Sequence, residues 1–154
     1  MISNKLNFVK IAVLALAISI PVVGYSQCKG FAKKKCLPAL KPFIHNGQLN
    51  STTLMAGESA ELVMTFHAGQ HYRVMICAQQ SLKNVSFKMM DMDREILFNS
   101  EDEADAKNWD FNVNATQQMI ILVQVPKAGK HDAAKLTGSL SISGCVALLV
   151  GFKD

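Results

Sequence analysis

From residue 48 to the C-terminus the chain alternates apolar and polar side chains with a period of two. Turn-forming clusters interrupt this rhythm at intervals of about 8–12 residues, the signature of short antiparallel strands. Ala60, Leu62, Met64 and Phe66 alternate with Glu61, Val63, Thr65 and His67. Ala68-Gly69-Gln70 then leads into a second run at 71–78, so the two read as a hairpin. Val85, Phe87 and Met89 alternate next, a turn at 91–94 follows, and 96–98 returns. Trp109, Phe111 and Val113 face one way while Asn108, Asp110 and Asn112 face the other. The run 119–125 is apolar on both faces, and a last strand or pair of strands covers 136–152. With a weak first strand at 48–54, the count is about eight. No long amphipathic helix and no repeat period competes with this pattern. The expected fold is all-β: an antiparallel β-sandwich, jelly-roll-like, with a short N-terminal helix packed on the outside.

The first residues have a different character. Lys5 and Lys10 precede an apolar run at 11–23, and Gly24-Tyr25-Ser26 offers the small residues of a signal-peptidase site. The run is shorter than the ~20 residues a bilayer span needs. The expected organisation is therefore a signal peptide at 1–26, a helix and linker at 27–47, and a sandwich domain at 48–154, with no permanent membrane span. Gln27 stands directly before Cys28, where a lipoprotein anchor requires a small residue. The leader carries two lysines and no acid, so its removal lowers the formal charge from +4 to +2 on 128 residues. A nearly neutral domain lacks the basic face that nucleic-acid binding requires.

An exported chain meets an oxidising compartment, and its even set of cysteines, Cys28, Cys36, Cys77 and Cys145, is expected to form disulfides. A helix from 28 to 36, closed by Pro38, would hold Cys28 and Cys36 about 12 Å apart. Bridged Cα atoms lie within about 7 Å, so these two cannot join each other. Alternation places Cys77 opposite the apolar face of Tyr72, Val74 and Ile76, and Cys145 opposite that of Val146 and Leu148. Both therefore face outward, where an N-terminal helix could be stapled to the body. Which pairs with which stays open.

The stretch Ala56-Gly57-Glu58, Glu61-Leu62 and 65–73, followed by Val85-Ser86-Phe87, Asp91, Leu97-Phe98 and Trp109-Asp110-Phe111, resembles the bacterial pre-peptidase C-terminal jelly-roll modules. The ending 144–152 and the segment 28–36 are similar to small exported bacterial proteins of unassigned activity. The resemblance implies a non-catalytic module and names no substrate, because turn glycines and core aromatics specify a sandwich and not a ligand.

Residues able to carry chemistry are few. His67 and His71 flank one turn and, with His45, are weak zinc candidates, three protein ligands being the usual minimum. Asp91, Asp93, Glu95, Asn99 and Asp102 fall at the first, third, fifth, ninth and twelfth places of an EF-hand-like window. Ile96 stands where the sharp turn requires Gly, so that reading fails. A looser calcium site using Asp91, Asp93 and Asp102, or the loop acids Glu101, Glu103 and Asp105, competes with the favoured reading of a solvated turn. The lysines at 29, 33–35 and 41 could meet an anionic lipid or glycan, but on a helix they also offset the macrodipole, the preferred reading. There is no nucleophile elbow, and the carboxylates Glu58, Asp91 and Asp110 are not placed as a pair. No cofactor and no enzymatic activity are expected. The leading expectation is a secreted or periplasmic non-catalytic binding module that presents loops or a sheet face to a glycan, peptide or envelope partner. The alternative is a structural or interaction protein of the cell envelope, self-associating through sheet edges; a small hydrolase comes third. A pocket would favour the first, an unprotected edge strand or apolar patch the second.

Overall fold

A computed structural model describes residues 24–103, 106–127 and 142–153. Its described strands form two antiparallel sheets packed face to face, an all-β sandwich. The strands are β1 (Ile44–His45), β2 (Asn50–Met55), β3 (Ser59–Phe66), β4 (His71–Ala78), β5 (Ser86–Met90), β6 (Ile96–Asn99), β7 (Asn108–Asn112), β8 (Gln117–Gln124) and β9 (Ser143–Lys153). In the first sheet β1 and β2 both pair with β9, which pairs in turn with β4, and β7 closes the far edge. The second sheet runs β3, β8, β5, β6. The expected strand at 136–152 is described only from Ile142 onward; its earlier part lies outside the described residues.

The expected hairpin between β3 and β4 does not exist. β3 pairs with β8 in one sheet, whereas β4 pairs with β7 and β9 in the other. The turn at 67–70, with Gly69 at a φ of 82°, therefore crosses between the sheets. The reason is burial. β8 and β9 carry apolar side chains on both faces and need neighbours on both sides, so they take central positions. β3, polar on alternate residues, is left at an edge. An alternating strand beside a short turn looks the same whether its neighbour lies beside it or opposite it.

The core between the sheets is built on Phe66, Phe87, Met89, Ile121, Val74 and Val150, all fully enclosed. Phe66 meets Tyr72 and Phe111 edge-on, at centroid distances of 5.0 and 5.3 Å. Trp109, on the same face as Phe111, is half-buried against this core and stacks between Phe98 and Phe111 at 5.1 and 4.2 Å.

A second apolar layer covers the outer face of the first sheet. Helix α1 (Gly24–Phe31) runs into a π-helical turn at Ala32–Cys36 and a 3-10 turn at Leu37–Leu40. The helical path thus starts earlier than expected and passes Pro38, which sits in the first turn of the 3-10 segment, where a missing N–H costs little. Ala32, Cys36, Leu40 and Phe43 pack on Met75, Ala147 and Leu149. Gly151 makes this approach possible, because a Cβ there would lie 2.8 Å from that of Phe43. Two disulfides fasten the layer: Cys28 to Cys145, and Cys36 to Cys77.

Candidate functional site

Where β3 faces β1 and β2, the two sheets do not close. The inward side chains of β3, Ala60, Leu62 and Met64, are only half-buried, although their counterparts on β8 are fully so. The gap is a groove with two parts. One, of about 220 Å³, is walled by Asn50, Thr52, Ala60 and Leu62 over a floor of core residues that includes Ile121 and Val146. The other, of about 560 Å³, is framed by Asn46, Gln48, Met64, Thr65, His67 and Gln70.

Each wall is positioned by local chemistry. The Asn46 N–H donates to the Val150 carbonyl at 3.0 Å, and its Oδ1 accepts the Gln48 N–H at 3.0 Å, folding 46–48 over the groove. The Asn46 amide reaches across to the Met64 sulfur at 3.9 Å. At the far end the Tyr72 hydroxyl donates to Gln70 Oε1 at 2.8 Å and accepts the His67 N–H at 3.0 Å, which fixes the crossing turn. The part beside β2 is mostly apolar, and amides and hydroxyls supply most of the polar groups around the opening. Glu61 is engaged by Arg94 through two bonds of 3.0 and 3.1 Å. Asn50 Nδ2 is buried with no hydrogen-bond partner among the described residues. A buried donor without an acceptor costs on the order of 1–3 kcal/mol.

The residues singled out in the sequence are scattered. His67 stands at the groove, whereas His71, in β4, turns its ring to the outer face of the first sheet, stacked on Phe43 at 5.4 Å with Nδ1 2.7 Å from Asn112 Oδ1. His45 Nε2 approaches the Gln48 carbonyl at 3.2 Å. The three point to different surroundings and do not converge. Asp91 Oδ1 accepts the Glu95 N–H at 2.8 Å in the β5–β6 turn, where Asp93 is exposed. Asp102 accepts from the Asn99 amide at 3.0 Å at the other end of β6. The strand divides the window that imitates a calcium loop, so Asp91 and Asp93 are separated from Asp102. Glu101 accepts from the Ser86 hydroxyl at 3.0 Å, and Asp105 lies outside the described residues. No group of three or more His, Cys, Asp or Glu among the described residues is arranged to hold a metal ion.

The three carboxylates weighed for hydrolysis also part company. Glu58 caps its own turn by accepting the Met55 N–H at 2.7 Å. Asp110, on β7, takes two 2.7 Å bonds from Arg73. These bonds hold its carboxyl below the usual carboxylate range despite the opposing effect of burial, and raise the Arg73 guanidinium. Arg73 and Lys153 both lie over the Phe43 ring, at 4.4 and 4.9 Å from its centroid. The lysines at 33–35 are exposed on the helical layer, and no helix among the described residues is long and apolar enough to cross a membrane.

Sequence reasoning missed the groove. Its walls come from segments that alternation alone does not pair, and Asn46 and Asn50 read as linker and strand residues. No protein-family model and no curated protein matches the chain. Among solved structures it is similar to PliG of Aeromonas hydrophila, a periplasmic inhibitor of g-type lysozyme. That likeness has 14% identity, covers 69% of this chain and 85% of that one, and has a TM-score of 0.47. PliG of Salmonella Typhimurium, described in the same terms, shares 13% identity over 71% of this chain and 93% of its own, with a TM-score of 0.39.

Proposed function

We propose that the protein is an exported, non-catalytic binding module that holds part of a protein partner in the groove between β3 and β1–β2. The observation that carries this reading is the groove itself: an opening over apolar core side chains, rimmed by amides and hydroxyls, whose one carboxylate, Glu61, is engaged by Arg94. With Glu61 already engaged by Arg94, the groove suits an uncharged segment, because a charge placed over its apolar floor would lose water. Two disulfides fit an oxidising compartment, as does the leader-like sequence at 1–26.

The test compares the disulfide-bonded protein, without residues 1–26, with a Gln48→Trp variant that fills the groove from an exposed position. Both are offered to envelope proteins, a g-type lysozyme and a glycan array. The expected result is a protein partner whose affinity falls about tenfold or more in the variant. Binding that ignores the substitution, or binding to glycans alone, overturns the proposal.

A further inference from the structure

β3, which forms one wall of the groove, also pairs on one side only among the described residues. β3 keeps register with β8 over its whole length, from Ser59 opposite Gln124 to Phe66 opposite Gln117, with no bulge. It contains no proline and no lysine, the usual devices that blunt an edge. Its single charge, Glu61, is engaged by Arg94.

The direction of the backbone groups follows from the adjoining bonds. The Val125 N–H donates to the Glu58 carbonyl and the Val125 carbonyl accepts from Gly57, so the backbone of Val125 faces β3. Alternation then turns Ala60, Leu62, Met64 and Phe66 toward β8. Glu61, Val63 and Thr65 direct their N–H and C=O groups to the open side, where none of them has a backbone partner among the described residues.

We infer that this edge is a homodimer interface in which β3 of two copies pairs antiparallel about a two-fold axis at Val63. The strand is complementary to itself in that register. Val63 meets Val63 as a hydrogen-bonded pair, and Glu61 of each copy faces Thr65 of the other, so no like charges are opposed. On the inner side Leu62 faces Met64 of the second copy, and both of these side chains are left half-buried within one chain. On the outer side, register aligns Val63, Ile120, Met90 and Ile96 in one row across the second sheet. The middle of that row is buried, Ile120 at 4% and Met90 at 6% exposure, whereas Val63 at its end is 48% exposed. Pairing at Val63 continues the row into the second copy. The contact is isologous, so it closes as a dimer and does not extend into a fibre.

The test is sedimentation of the disulfide-bonded protein over a concentration series. The wild-type chain is expected to form dimers. Val63→Pro removes the central donor from an edge position that tolerates proline, and Val63→Lys opposes two charges on the axis. Each should weaken dimerisation about tenfold or more, with an unchanged circular-dichroism spectrum. Thr65→Lys places an ammonium opposite Glu61 of the second copy and should tighten the dimer, an expectation that survives even if the other variants misfold. A monomer at every concentration overturns the inference, as does a dimer indifferent to all three substitutions. The edge shares Leu62, Met64 and Thr65 with the groove, so sedimentation is run with no partner present and partner binding is measured at concentrations where the chain is monomeric, which keeps the failure of the binding proposal and the failure of this one distinguishable.

Discussion

The outer faces of the two sheets are built from similar strands and end up in opposite conditions. Over the first sheet lies the helical segment, fastened by Cys28–Cys145 and Cys36–Cys77, so that Ala147 and Leu149 of β9 are fully enclosed. The second sheet has no such layer among the described residues. Its apolar row ends in two exposed side chains, Val63 and Ile96, the latter 58% exposed. The Arg94–Glu61 pair links the β5–β6 turn to β3 across this face, and so spans the strands that carry Ile120 and Met90. One face has been buried covalently by its own chain; among the described residues the other is crossed by the Arg94–Glu61 ion pair. A double-faced apolar strand therefore does not reveal which kind of cover it will receive.

The largest expected effect comes from detaching the cover. Replacing Cys36 and Cys77 together by Ala should cost about 2–4 kcal/mol in denaturant unfolding, since the bond closes a loop of 41 residues. It should also increase binding of an apolar dye as Met75 and Leu149 lose their neighbours. A loss below about 1 kcal/mol would show that packing alone holds the segment. Next comes Gly151→Val, which forces a side chain against Phe43 and Leu40 and should cost about 1–3 kcal/mol through overpacking. An unchanged melting temperature would show that the layer can lift without penalty.

A smaller effect concerns pH. The Asp110 carboxyl is depressed by Arg73, so its contribution is present above the usual carboxylate pKa and is lost as pH falls through the lowered folded value. Because the pair is partly exposed, the loss should stay near or below about 1 kcal/mol. Asp110→Asn should remove this part of the acid dependence; an identical acid-unfolding curve would count against it. The smallest effect belongs to the exposed end of the row on the second sheet. Ile96→Ser should change monomer stability by no more than about 0.5 kcal/mol, and a larger cost would reveal a cover over the second sheet after all.

Much of the local structure was legible in the residues. Alternation located the strands, put Tyr72, Val74 and Ile76 in the core, and turned Cys77 and Cys145 away from it toward an external helix. The β5–β6 return was readable because Asp91 and the turn it caps are adjacent in sequence. β1 was not, since two residues, Ile44 and His45, carry no period and owe their pairing to Phe152 and Gly151 far along the chain. Asp91 and Asp93 are parted from Asp102 for a related reason. A spacing that suits a loop becomes a separation once β6 forms between its ends.

By itself the sequence determined which side chains share a face, because the period of a strand and the pitch of a helix are set by the local backbone. Tertiary structure alone decided which strands became neighbours. Any alternating strand satisfies its own pattern beside any partner, so pairing was resolved by the competition to bury β8 and β9 on both sides. That competition made β3 an edge, separated it from β4, and left the groove open.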